Sequence, residues 1–203
     1  ARELEHQLKD SGATAIVILE NFAHTLAEVI EHTPIQHVCI ASLGDMLGAW
    51  YGRWITFAVR HLAKMVPPYA LPLTGGRQVT PFKKALALGR ARRLQPSQAT
   101  HDSIAFLQYT GGTTGLSKGA VLTHRNIIAA TLQAEAWFTP ALAKIGDLSK
   151  ANSIAALPLY HIFALTLCLL AIRQGSSLTL IPNPRDIPKF VDVLKKRPFH
   201  MLP

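Results

Sequence analysis

Short apolar runs alternate along the chain with longer stretches in which apolar positions recur at helical spacing. The short runs predict strands at Thr14–Leu19, His37–Ala41, Ile104–Tyr109, Ala120–Leu122, Ser153–Leu157 and Leu178–Ile181, with a further strand beginning at Phe199. The periodic stretches predict helices at Arg2–Asp10, Asn21–Glu31, Asp45–Val66, Pro81–Gly89, Thr123–Trp137, Tyr160–Ile172 and Ile187–Lys196. This alternation predicts an α/β fold, with helices flanking a mainly parallel sheet.

Proline, glycine and basic residues concentrate between residues 67 and 102. We therefore expect an α/β subregion at 1–66, a connector at 67–102 containing one short helix, and a second α/β subregion at 103–203. The chain does not begin with Met, and its last predicted strand has barely started at Pro203. We expect a piece of a longer protein.

Composition narrows the class of protein. Hydrophobic residues make up 49% of the chain and charged residues 16%, which excludes a disordered protein. No apolar run approaches the roughly 18 residues of a membrane-spanning helix, and the first residues do not resemble a signal peptide. Cys39 and Cys168 lie in apolar stretches, which is typical of reduced core thiols. We expect a cytoplasmic protein.

The net charge of +9 is unevenly distributed. Residues 1–40 hold two basic and six acidic side chains, whereas residues 41–100 hold nine basic side chains and one acidic one. A basic middle region suits nucleic acid, anionic lipid or an anionic substrate. No zinc-finger spacing, RNA-binding signature or aromatic–basic stripe favours nucleic acid, so we expect no nucleic-acid partner.

The segment Tyr109–Gly119 (YTGGTTGLSKG) contains four glycines, three threonines and one lysine. Glycines let backbone N–H groups approach an anion, threonine hydroxyls add neutral donors, and Lys118 adds a positive charge. The segment lacks the Gly-Lys-[Ser/Thr] ending of a Walker A loop, and a strand rather than a helix is predicted to follow it. The pattern predicts a polyphosphate-binding loop between two strands.

This loop resembles the phosphate loop of the acyl-adenylate-forming superfamily. The segments AVLTHRN (120–126) and LPLYHIFAL (157–165) are similar to its neighbouring motifs, and LENFAHTL, FLQYTGGTTG and NPRDIP resemble bacterial long-chain fatty acid–CoA ligases. The resemblance covers essentially the whole chain and implies part of the large N-terminal region of such a ligase. Leu116-Ser117 departs from the family, in which many members have a proline before the lysine.

The resemblance implies ATP-dependent ligation of a fatty acid to CoA through an acyl-adenylate, with Mg²⁺ held by residues outside this chain. It assigns phosphate contacts to Thr110, Gly111, Gly112, Thr113, Thr114, Gly115 and Lys118, with Lys118 also stabilising the transition state. It also places Tyr160, His161 and Phe163 beside the acyl pocket, whereas chemistry alone favours a hydrogen-bonded core role for His161 and leaves Tyr160 and Phe163 as pocket or packing residues. Alternatives are a nucleotide-binding module without turnover, another acyl- or aryl-adenylate-forming enzyme, and a peripheral membrane protein.

Two helical segments have alternative interpretations. Met46–Met65 combines Trp50 and Trp54 with basic residues, which suits either a helix lying on an anionic membrane or a helix packed on the sheet. Acidic and histidine residues recur at helical spacing between Glu20 and His32, but this pattern favours a solvated helix face over a metal site. We expect no metal ligand in this chain.

Overall fold

The computed structural model describes residues 1–111 and 116–202. They fall into two compact units, one formed by residues 1–98 with 109–119 and the other by residues 99–108 with 120–203. The predicted α/β class is confirmed, since short strands alternate with helices and each unit contains parallel paired strands. The three-part subdivision remains a prediction.

The first unit is built on a parallel sheet of three strands, which lie side by side in sequence order. Its strands are β1 (Ala15–Leu19), β2 (His37–Ala41) and β3 (Gln78–Pro81). Its helices are α1 (Arg2–Ser11), α2 (Ala23–Val29), α3 (Ala49–Phe57) and α4 (Phe82–Arg90). The pairs Ile16↔Val38 and Ile18↔Ile40 set the register of β1 and β2.

The core of this unit lies on one face of the sheet. Leu8 of α1, Leu26 of α2 and Val38 of β2 are buried together, and Ile16 and Ile18 pack against them. Val17, which lies between Ile16 and Ile18 on β1, faces the opposite side of the sheet and is 67% exposed. Strand β1 is therefore half-buried, because alternate strand residues point to opposite faces.

Two elements of the first unit differ from the sequence prediction. Strand β3 lies in the segment expected to be a connector, where Pro81 is tolerated because β3 is an outer strand of the sheet. The helix expected from Asp45 to Val66 starts only at Ala49 and continues beyond Phe57 as a π-helical turn, Ala58–Leu62. The residues before Ala49 form hydrogen-bonded turns instead, and in one of them the Leu47 N–H donates to the Gly44 carbonyl.

The second unit contains a parallel strand pair, β6 (Asn152–Ala155) and β7 (Ser177–Leu180). Its helices are α5 (His124–Leu142), α6 (Ile162–Gln174) and α7 (Ile187–Lys196). Ile154, Leu167 and Leu170 are among its buried apolar residues. An isolated parallel bridge joins Ser153 to Met201, close to the strand predicted to begin at Phe199.

Strands β4 (Ile104–Thr110) and β5 (Lys118–Thr123) form a separate two-stranded sheet. Thr123 caps the start of α5: its hydroxyl accepts a hydrogen bond from the backbone N–H of Asn126, and the Asn126 side chain bonds back. The predicted glycine–threonine loop therefore joins two strands, and a capped helix follows.

Candidate functional site

The predicted phosphate loop is described at its two ends only. Gly112, Thr113, Thr114 and Gly115 lie outside the described residues, so their predicted phosphate contacts remain predictions. Thr110 ends β4 and is exposed, as is Gly111. Lys118 begins β5 and is also exposed, and within residues 1–111 and 116–202 it forms no ion pair. An unpaired ammonium group at this position is available to an anionic ligand.

Helix α1 holds the segment that leads out of the loop. Ser117, immediately before Lys118, is only 6% exposed. The Nε2 atom of His6 lies 2.8 Å from the Ser117 carbonyl oxygen, and the Nε2 amide of Gln7 donates to the Ser117 hydroxyl at 3.3 Å. Since a carbonyl oxygen can only accept, His6 donates through Nε2 in this contact.

The same helix holds the segment that leads into the loop. The hydroxyl of Tyr109 donates a 2.6 Å hydrogen bond to Oδ2 of Asp10. Burial first, and then the hydrogen bond to Asp10, raise the pKa of Tyr109, so its hydroxyl remains a donor at neutral pH. A Cβ atom added to Gly119 would lie 3.0–3.3 Å from the Tyr109 ring, which shows how closely the two loop ends pack. Sequence patterns did not reveal these α1 contacts, because helical polar residues usually face solvent.

A second candidate site is an apolar cavity of about 450 Å³ in the second unit. It lies at the carboxyl ends of the parallel strands β6 and β7, where ligands commonly bind in α/β sheets. It is lined by Ala155, Ala156, Leu157, Pro158, Leu159, Tyr160, Leu180, Ile181, Pro182 and Pro184. The cavity at the end of this strand pair is lined mostly by apolar residues and therefore suits an apolar group.

The three predicted acyl-pocket residues have different positions. Tyr160 lines the cavity, and its carbonyl oxygen accepts a 2.6 Å hydrogen bond from the side chain of Gln108. His161 caps α6, because its Nδ1 accepts from the Phe163 backbone N–H at 3.3 Å. The Phe163 side chain is partly exposed outside the cavity lining. An acyl-pocket role for these residues remains a prediction.

The segment from Met46 to Met65 contains several exposed apolar side chains in the first unit. Met46 is 73% exposed, Trp50 81% and Trp54 60%. The guanidinium of Arg53 lies 4.4 Å from the centre of the Trp50 ring, a cation–π arrangement. In the part of the chain that the structure describes, no helix is long and apolar enough to cross a membrane.

The expectation that Glu20 belongs to a solvated helix face is wrong. The Glu20 side chain is 1% exposed, and its Oε2 accepts two hydrogen bonds from Arg60, at 2.8 and 2.6 Å. Arg60, in the π-helical turn that follows α3, thus neutralises a buried carboxylate. Among the described residues, no group of three His, Cys, Asp or Glu side chains could hold a metal ion.

The overall fold is that of several acid–CoA ligases of known structure. A structure described as a putative long-chain-fatty-acid CoA ligase from Rhodopseudomonas palustris superposes with a TM-score of 0.64 at 15% identity, covering 96% of this chain and 39% of the other. The anthranilate CoA ligase AuaEII, in complex with anthranoyl-AMP, gives a TM-score of 0.66 at 18% identity, covering 96% and 31%. At these identities the likeness establishes the fold.

Sequence comparison identifies the family. The sequence model of a protein family described as "AMP-binding enzyme" matches residues 1–203, so the chain belongs to the AMP-binding enzyme family. It is 48% identical over 199 residues to the long-chain-fatty-acid–CoA ligase of Salmonella typhimurium, covering 98% of this chain and 34% of that protein. The Haemophilus influenzae ligase is 46% identical, with 99% and 35% covered. The chain spans about one third of the length of these curated relatives.

Proposed function

We propose that the whole protein is a long-chain fatty acid–CoA ligase, and that the present chain supplies the loop that holds the triphosphate of ATP. The identity of 48% to ligases of this name supports the substrate class. A 4-coumarate–CoA ligase from Oryza sativa is 35% identical over 124 residues, covering 60% of this chain and 21% of that protein, so an aromatic acid is the weaker alternative.

The observation that carries the proposal is the position of Lys118 at the edge of the glycine–threonine loop, exposed and unpaired within the described residues. In the proposed first step, a fatty acid carboxylate oxygen bonds to the α-phosphorus of ATP as the bond to pyrophosphate breaks. Negative charge grows on the departing pyrophosphate, and preorganised donors with a nearby ammonium group stabilise it. The CoA thiolate then attacks the acyl carbon and releases AMP.

Magnesium would accompany ATP in this reaction and neutralise part of the phosphate charge. The described ends of the loop offer a hydroxyl group on Thr110 and an ammonium group on Lys118, but no cluster of carboxylates. These groups do not fit a magnesium site, so we assign no Mg²⁺ ligand within the described residues.

The test is ATP–pyrophosphate exchange by the whole enzyme carrying Lys118→Ala. Loss of one charge-assisted donor should lower the exchange rate by about 10²- to 10³-fold. Thr114→Val should lower it less, because it removes a neutral donor. Lys144→Ala is the matched control, since Lys144 is also exposed and unpaired among the described residues. Equal rates for the Lys118 and Lys144 variants would refute the assignment, and exchange without acyl-CoA formation would favour a function short of ligation.

We also propose that the exposed segment Met46–Met65 contacts an anionic membrane surface peripherally. Its exposed tryptophans and neighbouring Arg53 support this, because indole rings and basic groups favour the interface. In the alternative, the segment packs against the rest of the whole protein. Co-sedimentation with anionic vesicles should fall in the Trp50→Ala/Trp54→Ala double variant. It should persist in the control Trp137→Ala, because Trp137 is 83% exposed but lies outside this segment. Equal sedimentation of folded variants would favour packing.

A further inference from the structure

Helix α1 has three distinct faces. At about 100° per residue, Leu4 and Leu8 share the face that packs into the core of the first unit. Glu5 and Lys9 form an ion pair on a second face. His6, Gln7 and Asp10 share a third face, and all three bond to residues that flank the phosphate loop.

The third face joins residues that are far apart in sequence. Its bonds to Tyr109 and Ser117 cross about one hundred positions of the chain, and they reach both ends of the loop. The helix itself is anchored by buried Leu8 and ends at Gly12, whose left-handed conformation (φ 64°) stops the helix before β1. A helix fixed in the core therefore provides a rigid support for the residues that enter and leave the loop.

We propose that α1 is a positioning element of the nucleotide site, and that His6, Gln7 and Asp10 preorganise the loop by holding Ser117 and Tyr109. This inference rests on the proposed function of the loop. Holding the Ser117 backbone fixes the point from which Lys118 extends, and holding Tyr109 fixes the start of the glycine-rich segment. Because these hydrogen bonds hold Ser117 and Tyr109 in place, less conformational freedom is lost when ATP binds.

The first test compares His6→Phe and His6→Gln in the whole enzyme by ATP–pyrophosphate exchange. Phenylalanine retains a ring but cannot donate to the Ser117 carbonyl, whereas the glutamine amide can replace the Nε2 donor. His6→Phe should raise KM for ATP about threefold to tenfold, as expected for one lost hydrogen bond, and leave KM for the fatty acid unchanged. His6→Gln should restore most of the affinity for ATP.

Controls separate positioning from a general loss of stability. Glu5→Gln breaks the ion pair on another face of α1 and should leave KM for ATP unchanged. Tyr109→Phe removes only the hydroxyl bonded to Asp10, so it provides a second variant if His6→Phe folds poorly. A purely structural role would lower the melting temperature and the amount of active enzyme without changing KM for ATP selectively.

The outcomes distinguish this inference from the proposed function. If Lys118→Ala impairs exchange but both His6→Phe and Tyr109→Phe retain the normal KM for ATP, the positioning role is refuted and the phosphate loop stands. If Lys118→Ala has no effect, the proposed function of the loop fails, whatever the α1 variants do. If positioning acts through Lys118, the effect of His6→Phe should shrink in the Lys118→Ala background, because the two changes remove parts of one interaction.

Discussion

Replacing Gly52 with alanine would place a methyl group against the backbone of the turn that precedes α3. A Cβ atom at Gly52 would come closer than 3.0 Å to the carbonyl oxygen of Gly44, whereas ordinary van der Waals contacts begin at 3.4 Å. The converse holds at Gly44, where a Cβ would meet the Gly52 carbonyl. Because the opposing atoms belong to the backbone, no side-chain rotation relieves the clash.

The expected magnitude combines two opposing effects. Overpacking costs about 1–3 kcal/mol, and a clash between backbones belongs at the upper end of that range. Alanine in place of glycine within a helix gains up to about 1 kcal/mol. Gly52→Ala should therefore lower the free energy of unfolding by about 2 kcal/mol and lower Tm.

Gly89 offers a matched control. It also lies in a helix, α4, but a Cβ atom there would meet nothing within 4 Å. Gly89→Ala should leave Tm unchanged or raise it slightly, because only the helix-propensity gain remains. Thermal unfolding of both variants by circular dichroism is the assay. If Gly52→Ala melts at or above the temperature of the unmodified protein, the close approach of Gly44 and Gly52 is refuted.

Two further predictions concern charged groups. Arg60→Met should destabilise the protein by about 2–3 kcal/mol in urea unfolding, which is less than the loss on breaking a fully buried pair because Arg60 is half-exposed. Adding Glu20→Gln should recover most of that loss, because it removes the unpaired buried charge. Full stability of the single variant would contradict the pairing. Hydrogen bonds from the Lys189 side chain and backbone lower the pKa of Asp186, which caps α7. A carboxyl group with a lowered pKa stabilises the folded state at pH values above its ordinary pKa of 3.8, and this stability is lost as pH falls through the pKa of the folded state. Amide exchange in the first turn of α7 should therefore rise below about pH 4. It should show no such rise in Asp186→Asn, which has no carboxyl group to titrate.

The local pattern of the sequence was sufficient for the fold class and most elements. Strand β2 has the predicted bounds His37–Ala41, because a short run of β-branched and apolar residues between turns has few alternatives. Helix α6, predicted at Tyr160–Ile172, lies at Ile162–Gln174, and the left-handed Gly175 that follows it is typical of a helix end. The phosphate-binding role of the loop remains a prediction from its glycines, threonines and lysine, residue types that bind anions through local geometry.

Tertiary structure decided the features that depend on distant partners. Strand β3 was missed because its four residues, ending in Pro81, have a weak strand pattern, and pairing with β2 supplies what local preference does not. The burial of Glu20 requires Arg60, forty positions further along the chain, and no local pattern reports that partner. The contact of His6 with Ser117 spans 111 positions. Periodicity shows which residues share a helix face, but only the packed chain determines what that face meets, because the partner of each side chain is set by the fold as a whole.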